Sequence, residues 1–84
     1  MARQFAEPKE IKVRTNIKGT PVSLVRNGRS ERVARVYQQW RAIDEWWGEE
    51  TDRHYFTVGT SSGLVCDIFR DAGRKSWFMS KIHD

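Results

Sequence analysis

Cysteine occurs once in this chain, as Cys66, and proline only twice, as Pro8 and Pro21. A single thiol cannot close an internal disulfide, so the fold must hold without covalent staples, and a reducing cytoplasm is the expected compartment. No stretch approaches the roughly 18 to 20 apolar residues that cross a bilayer, so no membrane association is expected. Nothing near Met1 has the charged, apolar and small-residue order of a signal peptide. Histidine is scarce too. His54, His83 and Cys66 stand at no metal-ligand spacing, and Cys66 reads as a small buried hydrophobe.

The motifs of chemistry are missing as well. There is no phosphate-binding loop, no G-x-G-x-x-G and no G-x-S-x-G, and the serines sit in turn-like contexts with no histidine predictably beside them. The acidic residues Asp44, Glu45, Glu49 and Glu50 read as a solvated surface rather than as an acid–base pair. The expectation is a protein that is not an enzyme and carries no metal or cofactor.

What is present is aromatic mass. Four Trp, two Tyr and four Phe lie among 84 residues, enough for one domain with one core. A chain of this size buries only about two-thirds of the surface that its unfolded form exposes. Its stability must come from a few large side chains, each burying roughly 150 to 250 Å².

Residues 1–8 show no period and read as a loose arm before a single domain over 9–84. Residues 9–14 alternate, with Ile11 and Val13 on one side, as in a short half-exposed strand. Asn27-Gly28 between two β-prone runs marks a type I′ hairpin that sets Leu24 opposite Glu31. The stretch 33–47 also fits helical spacing, but its β-branched and aromatic content and the lack of an N-cap favour a long strand, bulged near 37–39. Residues 45–52 read as an acidic loop displaying Trp46-Trp47. A second hairpin turns at Ser61-Ser62-Gly63 and pairs Phe56 with Ile68, Val58 with Cys66 and Tyr55 with Phe69. A turn at 71–74 leads to a last strand bearing Trp77, Phe78, Met79 and Ile82. The fold class is all-β: an antiparallel meander of five to six strands curled into a partly open small barrel.

Charge divides the chain. Residues 1–41 hold ten Lys/Arg against three Asp/Glu, and residues 42–84 hold five against eight, for a net charge of +4. Arg26, Arg29, Arg32, Arg35 and Arg41 stud the basic half beside aromatics, as in small β domains that hold phosphate backbones. Simple alternation points Arg32 and Arg35 to opposite faces. Trp46 and Trp47, as neighbours on an extended backbone, must leave on opposite sides, so one of them is expected at the surface as a partner anchor.

One further pattern stands out: Pro21, Trp40-Arg41-x-Ile43, Glu45-Trp46-Trp47, Arg53-x-Tyr55-Phe56-x-Val58, Gly63, Phe69-Arg70-Asp71 and Trp77-Phe78. Over residues 21–84 this order resembles the small uncharacterised domain at the C-terminal end of ImuB-type proteins, which are relatives of Y-family translesion polymerases. The resemblance implies a non-catalytic module linked to damage-tolerance DNA synthesis. The expected function is therefore a monomeric binding or adaptor module with a protein partner, anchored at Trp46 and Trp47. Direct single-stranded nucleic-acid binding through the five arginines is the alternative.

Overall fold

The computed structural model describes residues 3–46 and 49–83. Six strands follow one another: β1 (Arg3–Thr15), β2 (Pro21–Arg26), β3 (Arg29–Trp46), β4 (Glu49–Thr60), β5 (Val65–Asp71) and β6 (Ser76–His83). Each pairs antiparallel with the next, and β1 also pairs with β6, so the sheet closes into a barrel. Closure removes most of the unpaired edge that an open meander would leave. No helix is long and apolar enough to cross a membrane among the described residues.

The turns follow local chemistry. Asn27 at φ 51° and Gly28 at φ 74° supply the two left-handed positions of a type I′ turn. The expected partners Leu24 and Glu31, Tyr55 and Phe69, Phe56 and Ile68, and Val58 and Cys66 stand opposite one another. The segment 33–46 is strand, as its side-chain content indicates.

Two expectations need correction. Residues 3–8, read as part of a loose arm, belong to β1; the register against β6 breaks between Gln4 and Lys9, around Pro8, which has no N–H to give to a ladder. Residues 45–52 were expected to form a loop, but β3 runs to Trp46 and β4 starts at Glu49. The pairs from Arg41 with His54 to Trp46 with Glu49 continue the ladder. Acidic side chains disfavour a strand only weakly when they face water on an already paired hairpin.

Two bulges interrupt β3. Val33 pairs with Thr60 and Arg35 with Gly59, leaving Ala34 extra; Val36 pairs with Val58 and Gln38 with Thr57, leaving Tyr37 extra. Each extra residue resets the alternation of faces. Val33 and Val36 consequently both lean on the core, while Arg32, Arg35, Gln38 and Trp40 share the outer face.

The barrel interior is filled by Ile11, Leu24, Phe56, Val58, Cys66, Ile68, Trp77, Met79 and Ile82. Burying one such side chain contributes about 1.5 to 3 kcal/mol. Phe69 is only 2% exposed yet stands outside that cluster, because it points the other way from Ile68 on the same strand.

Candidate functional site

The outer face of β3 to β6 carries a row of rings at directly paired positions: Trp40, Tyr55, Phe69 and Phe78. Trp40 and Tyr55 stack with centroids 5.1 Å apart and planes 2° from parallel. Tyr55 meets Phe69 at 4.9 Å, and Phe69 meets Phe78 at 5.3 Å. The rings therefore stand upright and spend their faces on one another. Arg53 lies over Phe69 at 4.8 Å, and Arg74 closes the far end over Phe78 at 5.8 Å. The Arg53 Nε is buried without a hydrogen-bond partner.

At its other end the row is open. β2 pairs with β3 only from Arg29 to Arg32, so among the described residues no strand stands on the other side of Trp40, which is 38% exposed. Tyr37 and Ile43, each 55% exposed, lie on the same strand. The Tyr37 ring rests on Gly59, where a Cβ would come within 3.0 Å of its Cε2.

Beyond Arg32, the β1–β2 hairpin and the β3–β4 hairpin diverge, and a cleft of about 400 Å³ opens between them. Thr15, Lys18 and Thr20 form one wall and Gln39, Arg41, Asp52 and His54 the other, with Phe56, Arg70 and Trp77 at the base. The loop wall is held by Asn16, whose Oδ1 accepts from the Lys18 and Thr20 amides at 2.9 and 3.0 Å. Across the cleft, Arg41 Nε donates to Asp52 Oδ1 at 2.8 Å, and Nη2 donates to the other oxygen. That pairing holds the Asp52 carboxyl below its usual range and raises Arg41 above its own. His54 stacks on Phe56 at 4.4 Å and bonds Gln39 Oε1 at 3.2 Å. Lys18 and Arg70 form no ion pair among the described residues.

The five arginines do not act as a set. Arg26 donates to buried Glu31 at 3.0 Å and belongs to the structure; Arg41 is committed to Asp52. Arg29, Arg32 and Arg35 are exposed. Contrary to simple alternation, the Ala34 bulge brings Arg32 and Arg35 to one face. The backbone of Trp46 ends β3, whereas its side chain and all of Trp47 lie outside the described residues. Sequence reasoning missed the Trp40 row, the cleft and Glu31. The first had a signal, since Tyr55 and Phe69 were paired, but Trp40 could be added only once the bulges were known.

Three groups bear on chemistry. Burial pushes the Cys66 thiol up to about 12, with Asp67 adding to the effect, so it stays protonated. Asp67 Oδ1 accepts from Thr57 Oγ1 at 2.6 Å and from His83 Nε2 at 2.9 Å. The carboxylate thus sits between hydroxyl and imidazole, whereas nucleophile activation needs the imidazole in the middle. Glu31 accepts from Ser62, from Arg26 and, at 3.1 Å, from Thr60. The Ser62 hydroxyl and then Arg26 and Thr60 hold its carboxyl below the ordinary range against the opposing effect of burial. Among the described residues, no group of three or more His, Cys, Asp or Glu could hold a metal ion.

The family model described as a domain of unknown function (DUF6504) matches residues 1–84. No curated protein and no solved structure matches the chain.

Proposed function

Taking as premise that the chain belongs to the DUF6504 family, we propose that it is a non-catalytic adaptor that holds a protein partner. The observation that carries this reading is the open end of the ring row: Trp40, stacked on Tyr55 on one side and without a paired strand on the other among the described residues, on a strand that also exposes Tyr37. Exposed tryptophan and tyrosine bury much area at little entropic cost and dominate binding hot spots. The protonated Cys66 and the unproductive order of Thr57, Asp67 and His83 support the non-catalytic part. Trp46 and Trp47 remain the anchors expected from the sequence; the Trp46 backbone ends β3, and the rest of the pair lies outside the described residues. The resemblance of residues 21–84 to the C-terminal domain of ImuB-type proteins supports a partner in damage-tolerance DNA synthesis, met by a monomer in the cytoplasm.

A second reading, direct single-stranded nucleic-acid binding, is favoured by exposed Arg29, Arg32 and Arg35. It is weakened by the row itself, because stacking platforms need free ring faces, and three of the four rings lie between neighbours.

A photo-reactive phenylalanine in place of Tyr37 tests the choice in cells under DNA damage. The expected product is a discrete cross-link to a protein of the DNA-synthesis machinery, absent when the probe replaces exposed Lys12. Cross-links to nucleic acid alone, with a steep salt dependence of oligonucleotide binding, would replace the first reading by the second.

A further inference from the structure

We propose that the free edge of β3 accepts an extended acidic segment of the partner as an added strand, and that a carboxylate of that segment enters the cleft beside Lys18 and Arg70. This rests on the adaptor reading and names its mode.

The edge is suited to pairing. After the Tyr37 bulge, residues 38–46 keep an unbroken register with β4 and, among the described residues, have no strand on their other side. Bulges, prolines and charged side chains are the usual guards of such an edge. Here both bulges lie before residue 38, no proline follows Pro21, and the Arg41 charge is taken up by Asp52. The β1–β2 loop shares the cleft with Gln39 and Arg41 of this edge, and the Asn16 side chain and the Gly19 N–H to Asn16 carbonyl bond at 3.0 Å hold it in shape.

Alternation then sets what the added strand must carry. One set of its side chains faces the cleft and the other passes Trp40, because paired strands share their faces. On the cleft side it meets Lys18, Arg70 and His54, and Asp52, the one acid lining the cleft among the described residues, is already engaged. On the outer side it passes Gln38 and Trp40, with exposed Arg35 on the same face before the Tyr37 bulge. Toward the far end of the hairpin stand Glu45 and Glu50, which repel acid. The complement is a strand that is acidic near the barrel and presents a ring or a guanidinium to Trp40.

Selection of a random dodecapeptide phage library against the intact chain, followed by amide NMR with the selected peptide, tests this. The expected sequences carry Asp or Glu near an aromatic residue or arginine, and the expected shifts fall on residues 38–43 and 18–20. Charge reversal by Lys18→Glu with Arg70→Glu, both exposed positions, should weaken binding about tenfold or more. N-methylation of alternate peptide amides should abolish it. Acid-free sequences, no selected peptide, shifts confined to other strands, displacement by a thymidine oligonucleotide, or a self-associated dimer occupying the edge would each overturn the proposal. A protein cross-link from position 37 together with such a result would leave the adaptor standing and remove only strand addition.

Discussion

β3 links two ends of the molecule, and each end pairs an arginine with a carboxylate. At the barrel end, Glu31 is buried and receives Arg26, Ser62 and Thr60. At the hairpin end, Asp52 and Arg41 pair in the open, with side chains 29% and 63% exposed. The first joins β2, β3 and the β4–β5 turn, and its donors would be stranded without it. The second binds two neighbouring strands that the ladder already joins. A buried carboxylate with its donors holds the fold, whereas an exposed pair sets the charge of a surface.

Replacing the buried acid gives the largest expected effect. Glu31→Gln keeps the shape but turns an amide toward hydroxyls that need an acceptor, and should cost about 2 kcal/mol. For a domain of this size that lowers the midpoint of thermal unfolding by roughly 10 °C; a loss of under about 2 °C would make the two ends alike. The pH dependence sharpens the contrast. The Glu31 pKa is depressed in the folded state, so its contribution is complete above the unfolded value of about 4.3 and is lost as pH falls through the folded one. The stability gap between wild type and Glu31→Gln should be flat from pH 5 to 7 and close below about pH 4, as read by urea unfolding.

Between the two ends, Tyr37 lies on Gly59, and a substitution there should change sign with its neighbour. Gly59→Ala places a Cβ 3.0 Å from the ring and should destabilise by about 1 kcal/mol. In a Tyr37→Ala background the obstacle is gone, and the same change should stabilise by roughly 0.5 kcal/mol through lower backbone entropy in the unfolded chain. A double-mutant cycle with no coupling would mean that the ring does not rest on Gly59.

That contact also marks where the sequence stops being legible. Turn chemistry at Asn27-Gly28 and at Ser61-Ser62-Gly63 fixed where pairing starts, and counting outward found the partners of Leu24, Phe56, Val58 and Tyr55. The bulge read near 37–39 falls at Tyr37, but nothing local marks Ala34 as a second extra residue, and each insertion moves every later side chain to the other face. The shared face of Arg32 and Arg35, and the place of Trp40 in the ring row, follow from those two insertions. The hairpin register placed Glu31 opposite Leu24 but not its burial, because its hydroxyl partners, Thr60 and Ser62, lie 29 and 31 residues away. Barrel closure by β1 was hidden for a similar reason, since its partner β6 ends the chain.

The smallest expected effect on stability, and the one that separates fold from function, is at the exposed pair. Asp52→Asn removes the charge that Arg41 answers, while the hairpin keeps its ladder on both sides of the change. The midpoint of thermal unfolding should stay where it is, because exposed pairs contribute little. The cleft, however, gains Arg41 as a further uncompensated cation next to Lys18 and Arg70. An acidic peptide seated there should bind several-fold tighter at low salt, with the gain shrinking as salt rises. If the variant instead unfolds as early as Glu31→Gln, the two ends share one structural role; if the peptide binds no better, the cleft does not read charge.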